Sequence, residues 1–156
     1  MKRINIILIL FWFCLIINGC YTYKINNVDF DLFIKKFKEE EFTIYYKKKK
    51  IPDVLTIYLK NQEFPMIFAN PEEMYNYSSI ITNKFPNMGL VFLGISENGY
   101  GYIYYMYGHP NQNKNCILFK VNKRRVENMY KIRFLSKNVD CQNIEENILS
   151  KNYRFL

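Results

Sequence analysis

Gly89-Leu90-Val91-Phe92-Leu93-Gly94-Ile95-Ser96-Glu97-Asn98-Gly99-Tyr100-Gly101-Tyr102-Ile103-Tyr104-Tyr105-Met106-Tyr107 is two apolar runs joined by a turn. Gly89–Ile95 and Tyr100–Tyr107 are rich in the branched and aromatic side chains that fit a pleated, half-buried surface. Between them, Asn98-Gly99 is a strong hairpin signal, because both residues tolerate the positive φ of a type I′ turn. A two-residue turn there sets Leu93 opposite Tyr104 and Phe92 opposite Tyr105. Side chains alternate along a strand, so Tyr100, Tyr102 and Tyr104 share one face and Ile103, Tyr105 and Tyr107 the other. Neither face is plainly polar, which suits a central strand covered on both sides. If one face is open, its rings form an aromatic patch that soluble domains rarely keep without a use. The expectation is that at least two of Tyr100, Tyr102 and Tyr104 are exposed on a concave binding surface, where a ring with a polar tip suits recognition.

Outward from this hairpin the same alternation recurs. Cys116–Val121 and Val126–Leu135 predict a second hairpin across Lys123-Arg124, with Lys120 facing Glu127 as a favourable cross-strand pair. Asp140 or Asn143 can cap a short helix through Ile144, Ile148 and Leu149, and Tyr153–Leu156 can add a strand. Toward the N-terminus, Phe30, Phe33, Ile34 and Phe37 fall at helical spacing within Asp29–Glu41. Phe42–Lys47 predicts a short strand, Lys47–Lys50 a solvated loop of four like charges, and Val54–Lys60 a second strand. Asn70-Pro71-Glu72-Glu73 is a capping-box-like helix start, with Met74, Tyr77, Ile81 and Phe85 down one face as far as Pro86. The order is α, β, β, α, four antiparallel strands, α. It predicts one α+β domain over residues 28–156, with a curved antiparallel sheet of four to six strands and two or three helices. By element order alone this loosely resembles the cone of the nuclear-transport-factor-2 fold.

The first twenty residues carry a different signal. Lys2 and Arg3 precede Ile6–Ile17, where every residue is apolar. Such a run reaches only about 18 Å as a helix, short of a bilayer core of ~30 Å, so it reads as a cleaved secretory signal. Ile17-Asn18-Gly19-Cys20 closes the run and resembles the lipobox of bacterial lipoproteins. The resemblance implies diacylglyceryl attachment to the Cys20 thiol, cleavage after residue 19, and acylation of the new amine by a chain such as palmitate. Asn18 departs from the usual small residue. The resemblance further implies residues 20–27 as a lipidated tether and the membrane as a partner through Cys20. Tyr21 stands where Asp would resemble an inner-membrane retention signal. The expected location is thus the cell envelope, on the periplasmic face of the outer membrane in a Gram-negative host.

Removing residues 1–19 from the 156 leaves 137, enough for a core without disulfides. The loss of Lys2 and Arg3 leaves 20 cations against 14 acids, a spread excess that suits an anionic membrane surface and is far from a nucleic-acid signature. Trp12 leaves with the signal, so the mature chain has no tryptophan but all 14 tyrosines. Cys14 leaves too and Cys20 takes lipid. Cys116 and Cys141 remain as an even pair in an oxidising compartment, which predicts one disulfide.

Signals for chemistry are sparse. His109, the single histidine, lies in a loop with no local acid or nucleophile to partner it. The serines sit in no nucleophile-elbow motif. Asp29 with Asp31, and Glu72 with Glu73, stand at predicted helix starts, where carboxylates compensate the helix dipole. With two cysteines and one histidine, a structural zinc site lacks ligands. Phosphate-loop and dinucleotide fingerprints are absent. The sequence therefore predicts no catalytic residue, no metal and no cofactor. Its leading reading is a lipid-anchored, non-enzymatic binding or inhibitor domain with a protein partner, a toxin-immunity lipoprotein being one form. The alternatives are a small envelope enzyme or small-molecule binder with a pocket in a curved sheet, and a structural envelope protein of no discrete site. A deep cavity with converging polar groups favours the pocket; a filled core with an exposed tyrosine face favours the protein binder.

Overall fold

The computed structural model describes residues 27–75, 86–107, 114–136 and 138–156. Two compact units divide the chain, Met1–Leu32 and Phe33–Leu156; the first is described only from Asn27. The elements are α1 (Asn27–Phe37), β1 (Thr43–Tyr45), a 3-10 turn (Lys48–Lys50), α2 (Asp53–Lys60), β2 (Phe68–Ala69), β3 (Met88–Ile95), β4 (Tyr100–Tyr107), β5 (Lys114–Val121), β6 (Val126–Phe134), α3 (Ile144–Leu149) and β7 (Tyr153–Phe155). The sheet runs β1-β3-β4-β5-β6-β7 and does not close, with the two-residue β2 beside β3. All pairs are antiparallel except β2–β3. The fold is α+β, as the element order predicted.

Both hairpins form, each with a register one residue from expectation. Leu93 pairs with Ile103 and Phe92 with Tyr104. The cause is the loop: Ser96 N–H donates to Tyr100 O and Gly99 N–H to Ser96 O, leaving three residues, not two, between the closing pair. Within this loop only Gly99 takes positive φ, at 81°, the left-handed residue that ends a three-residue hairpin loop. A side chain there would also meet Val121 O at 2.3 Å. In the second hairpin a bulge after Val121–Val126 sets Lys120 opposite Asn128 rather than Glu127. Glu127 instead accepts from the Asn122 amide, whose own oxygen accepts the backbone N–H groups of Arg124 and Arg125.

Val54–Lys60 is a helix, not a strand. Ile51, Leu55 and Leu59 recur every fourth residue and are buried, while Ile57, which a strand would align with Leu55 and Leu59, is 60% exposed. The β-branched composition favoured a strand; burial against the sheet chose the helical period. Lys48 in the predicted lysine loop is held at both ends, its N–H on Asn70 Oδ1 and its ammonium on Glu73. Glu73 also accepts from Asn70 N–H at 2.9 Å, the reach-back half of a capping box. Residues 71–75 are not helical, and the remainder of the predicted 70–85 helix lies outside the described residues.

The strands are covered on two faces. One face is largely aliphatic and packs Leu90, Leu93, Ile103 and Ile117, with Phe119, against Leu55 and Leu59 of α2. The other face is aromatic and meets α3 and the second half of α1, where Phe33 lies 5.5 Å from the Tyr100 ring and 5.1 Å from that of Tyr130. Every β4 residue from Tyr100 to Tyr105 is buried.

Candidate functional site

The expected aromatic surface is not there. Tyr100 is 9% exposed, Tyr104 3% and Tyr102 not at all. The physical reason is that the second half of α1 (Phe33 and Phe37), α3 and neighbouring rings close over this face of β4. Tyr102 stacks with Phe37, Phe42 and Phe92, and its hydroxyl donates to Glu145 at 3.1 Å. The Tyr104 hydroxyl donates to Val139 O at 3.2 Å. A buried tyrosine whose hydroxyl finds a partner is an ordinary core residue. Burial pushes the hydroxyls of all three above the usual tyrosine range.

Cys116 and Cys141 are free thiols, not the predicted disulfide. Cys116 sits mid-strand on β5, wholly buried among the rings, and burial pushes its thiol well up. Cys141 is half-buried just before α3 and accepts a hydrogen bond from Tyr46 at 3.6 Å. Cys20 and the signal segment lie outside the described residues, as does His109. Among the described residues no helix is long and apolar enough to cross a membrane, and no three His, Cys, Asp or Glu side chains form a metal cluster.

A cleft that sequence reading did not single out lies on the other face of the sheet, at the far end of β4, β5 and β6. Its volume is about 230 Å³. One wall is Phe64-Pro65-Met66, the segment that follows α2, with Asn87 and Met88 beneath it; Leu156 stands at the rim. The floor is the sheet: Tyr105 and Tyr107 of β4, Asn115 of β5, Lys131 and Arg133 of β6. Alternation places them together, because Tyr105 pairs with Asn115 and Asn115 with Arg133, while Lys131 is two residues away on the same face.

Asn87 shapes the wall. It is buried, its oxygen accepts Ile67 N–H at 2.8 Å, and its amide donates to Pro65 O at 2.7 Å. Asn87 N–H also donates to Ile67 O. One side chain thus satisfies the polar backbone of a segment without regular structure. Asn115 organises the floor. It is buried, and its oxygen accepts from Arg133 Nε at 3.0 Å, which ties one nitrogen of a guanidinium that lines the cleft. Burial lowers the Lys131 ammonium below the usual lysine range. Burial raises the Tyr105 hydroxyl, opposed in part by the charge of Arg133.

The sequence did hold a trace of this site. On β6, Tyr130, Ile132 and Phe134 alternate with Met129, Lys131 and Arg133. Read alone, that pattern is an edge strand with a solvated face. Only the fold shows that the cationic face continues the same side of the sheet that buries Ile103 and Ile117. The arrangement offers cationic and amide donors beside an apolar wall, suited to holding a small polar-headed molecule, and no nucleophile–base pair. The chain matches no family model, no curated protein and no solved structure.

Proposed function

We propose that this chain is an envelope domain that binds a small molecule in the cleft beside β6, without catalysis, while lipid on Cys20 holds it at a membrane. The observation that carries the binding half is the convergence of Lys131, Arg133, Asn115, Tyr105 and Tyr107 on one concave patch with an apolar wall. A concave, largely apolar site with a few placed polar groups is what ligand pockets share. The cleft is smaller than the ~300 Å³ at which drug-sized sites begin, so the ligand is fragment-sized. The covered tyrosine face supports the same choice, since it leaves the protein-partner and toxin-immunity reading without the surface it relied on. The anchoring half rests on the lipobox-like Ile17-Asn18-Gly19-Cys20. Exported and lipidated, the domain would face the periplasm from the outer membrane of a Gram-negative host.

Protein-observed NMR against a set of fragment-sized acids, bases and neutral molecules tests the binding half. Ligands are expected to shift amides of residues 64–66, 105–107 and 131–133 together. If no ligand moves that group, the cleft is a packing defect and the reading fails. The anchor is tested separately: Cys20→Ala should abolish lipid labelling and release the protein from the membrane fraction.

A further inference from the structure

We infer that the ligand of this cleft is a small organic monocarboxylate with an aromatic or short apolar body. The inference rests on the reading that the cleft binds a small molecule, and it names the chemistry. Lys131 and Arg133 project on a sheet face that elsewhere is core, so both are partly withdrawn from water. Cations so placed normally have a carboxylate. No acidic side chain lines the cleft; the one carboxylate at its rim is the α-carboxylate of Leu156, and among the described residues neither cation has an ion-pair partner within 4.0 Å, that group included.

A second, independent feature points the same way. Arg154 of β7 pairs directly with Arg133. Like charges directly opposite across two strands destabilise the pair. Arg133 lines the cleft, Arg154 is exposed beside it on β7, and no described carboxylate bridges them. An anion bound at Arg133 would offset both the repulsion and the desolvation of Lys131.

The geometry also limits the anion. Asn115 takes Arg133 Nε, so the head meets the terminal guanidinium nitrogens, whose paired N–H groups match a carboxylate's two oxygens. Lys131 adds a third cationic donor, and the Asn115 amide nitrogen a neutral one. The body would lie against Phe64, Met66 and Met88. An apolar cavity of about 150 Å³ accepts benzene. About 230 Å³ therefore suits a phenyl ring with its carboxylate.

The test uses the full lipidated chain in phosphatidylcholine nanodiscs, with fluorine NMR of para-fluorobenzoate and its neutral isostere para-fluorobenzamide. The benzoate should bind the wild type at least about tenfold more tightly than the benzamide, the worth of one charge-assisted hydrogen bond. R133Q and K131Q should each remove about that factor for the benzoate and leave the benzamide unchanged. R133Q should lower the melting temperature, since it takes the Nε donor from the buried Asn115 oxygen and gains less by relieving the repulsion from Arg154; if it fails to fold, K131Q carries the comparison. Equal binding of the two probes, indifferent to both variants, would overturn the anion inference while keeping the cleft as a binding site. Binding of neither probe would overturn the inference, and the fragment screen then decides whether the cleft binds anything. Displacement of the benzoate by equimolar inorganic phosphate would mean a head-only site and overturn the apolar body.

Discussion

Replacing Tyr102 separates a core residue from a recognition residue. Gly94 lies directly opposite it, and a Cβ on Gly94 would fall 2.4 Å from Tyr102 Cζ. The ring occupies the space a side chain at 94 would need, and neighbouring rings sit at centroid distances of 5.2 Å (Phe42), 6.1 Å (Phe37) and 6.4 Å (Phe92). Tyr102→Phe keeps that packing and loses one hydrogen bond to the half-buried Glu145, which can rehydrate; the cost is about 1 kcal/mol. Tyr102→Ala empties a fully buried site and should cost about 3–5 kcal/mol. Gly94→Ala forces a methyl into the ring and should cost about 1–3 kcal/mol. In the double variant Gly94→Ala/Tyr102→Ala the methyl enters vacated space, so the loss should fall at least about 1 kcal/mol short of the sum. Urea unfolding followed by far-UV circular dichroism measures all four. Additivity within about 0.5 kcal/mol, or a Tyr102→Ala loss below about 1 kcal/mol, would refute the buried placement of the ring and reopen the tyrosine face as a binding surface.

Asn87→Ala strands Ile67 N–H and Pro65 O, and should cost about 2–4 kcal/mol; a loss below about 0.5 kcal/mol in thermal or urea unfolding would mean the wall of the cleft does not depend on it. Glu73, held by the Lys48 ammonium and then by Asn70, has its carboxyl lowered from the ordinary 4.5 to about 2. A depressed carboxylate contributes stability above its unfolded value, and that contribution fades as pH falls toward 2. Because Glu73 is exposed the effect on stability is small, so the measurement is the side-chain NMR titration, whose midpoint should rise in Lys48→Gln and also rise with added salt, which screens the Lys48 charge. Under native conditions a thiol reagent should label Cys141 and spare Cys116, which is buried with its thiol pushed up; equal labelling would mean that β5 opens readily.

The sequence by itself was enough for the parts set by local rules. Alternation in 89–107 and 116–135 fixed four antiparallel strands. Gly99 fixed the place of the first turn, and the spacing of Phe33, Ile34 and Phe37 fixed the buried side of α1. The reach-back bond of Glu73 followed from its spacing to Asn70. Registers were harder, because an Asn-Gly pair serves a two-residue and a three-residue loop alike, and one residue of loop slides every partner along β3 and β4. Tertiary structure decided what depended on partners distant in sequence. Val54–Lys60 became a helix because its Leu55–Leu59 spacing met the sheet. Tyr100, Tyr102 and Tyr104 became core because the second half of α1 and α3, some tens of residues away in either direction, cover that face. Lys131 and Arg133 look like a solvated strand face when read along β6. They become a cationic floor only when the segment after α2 arrives as a wall, stapled by Asn87. Alternation tells which side chains share a face; what covers that face is decided by the rest of the chain.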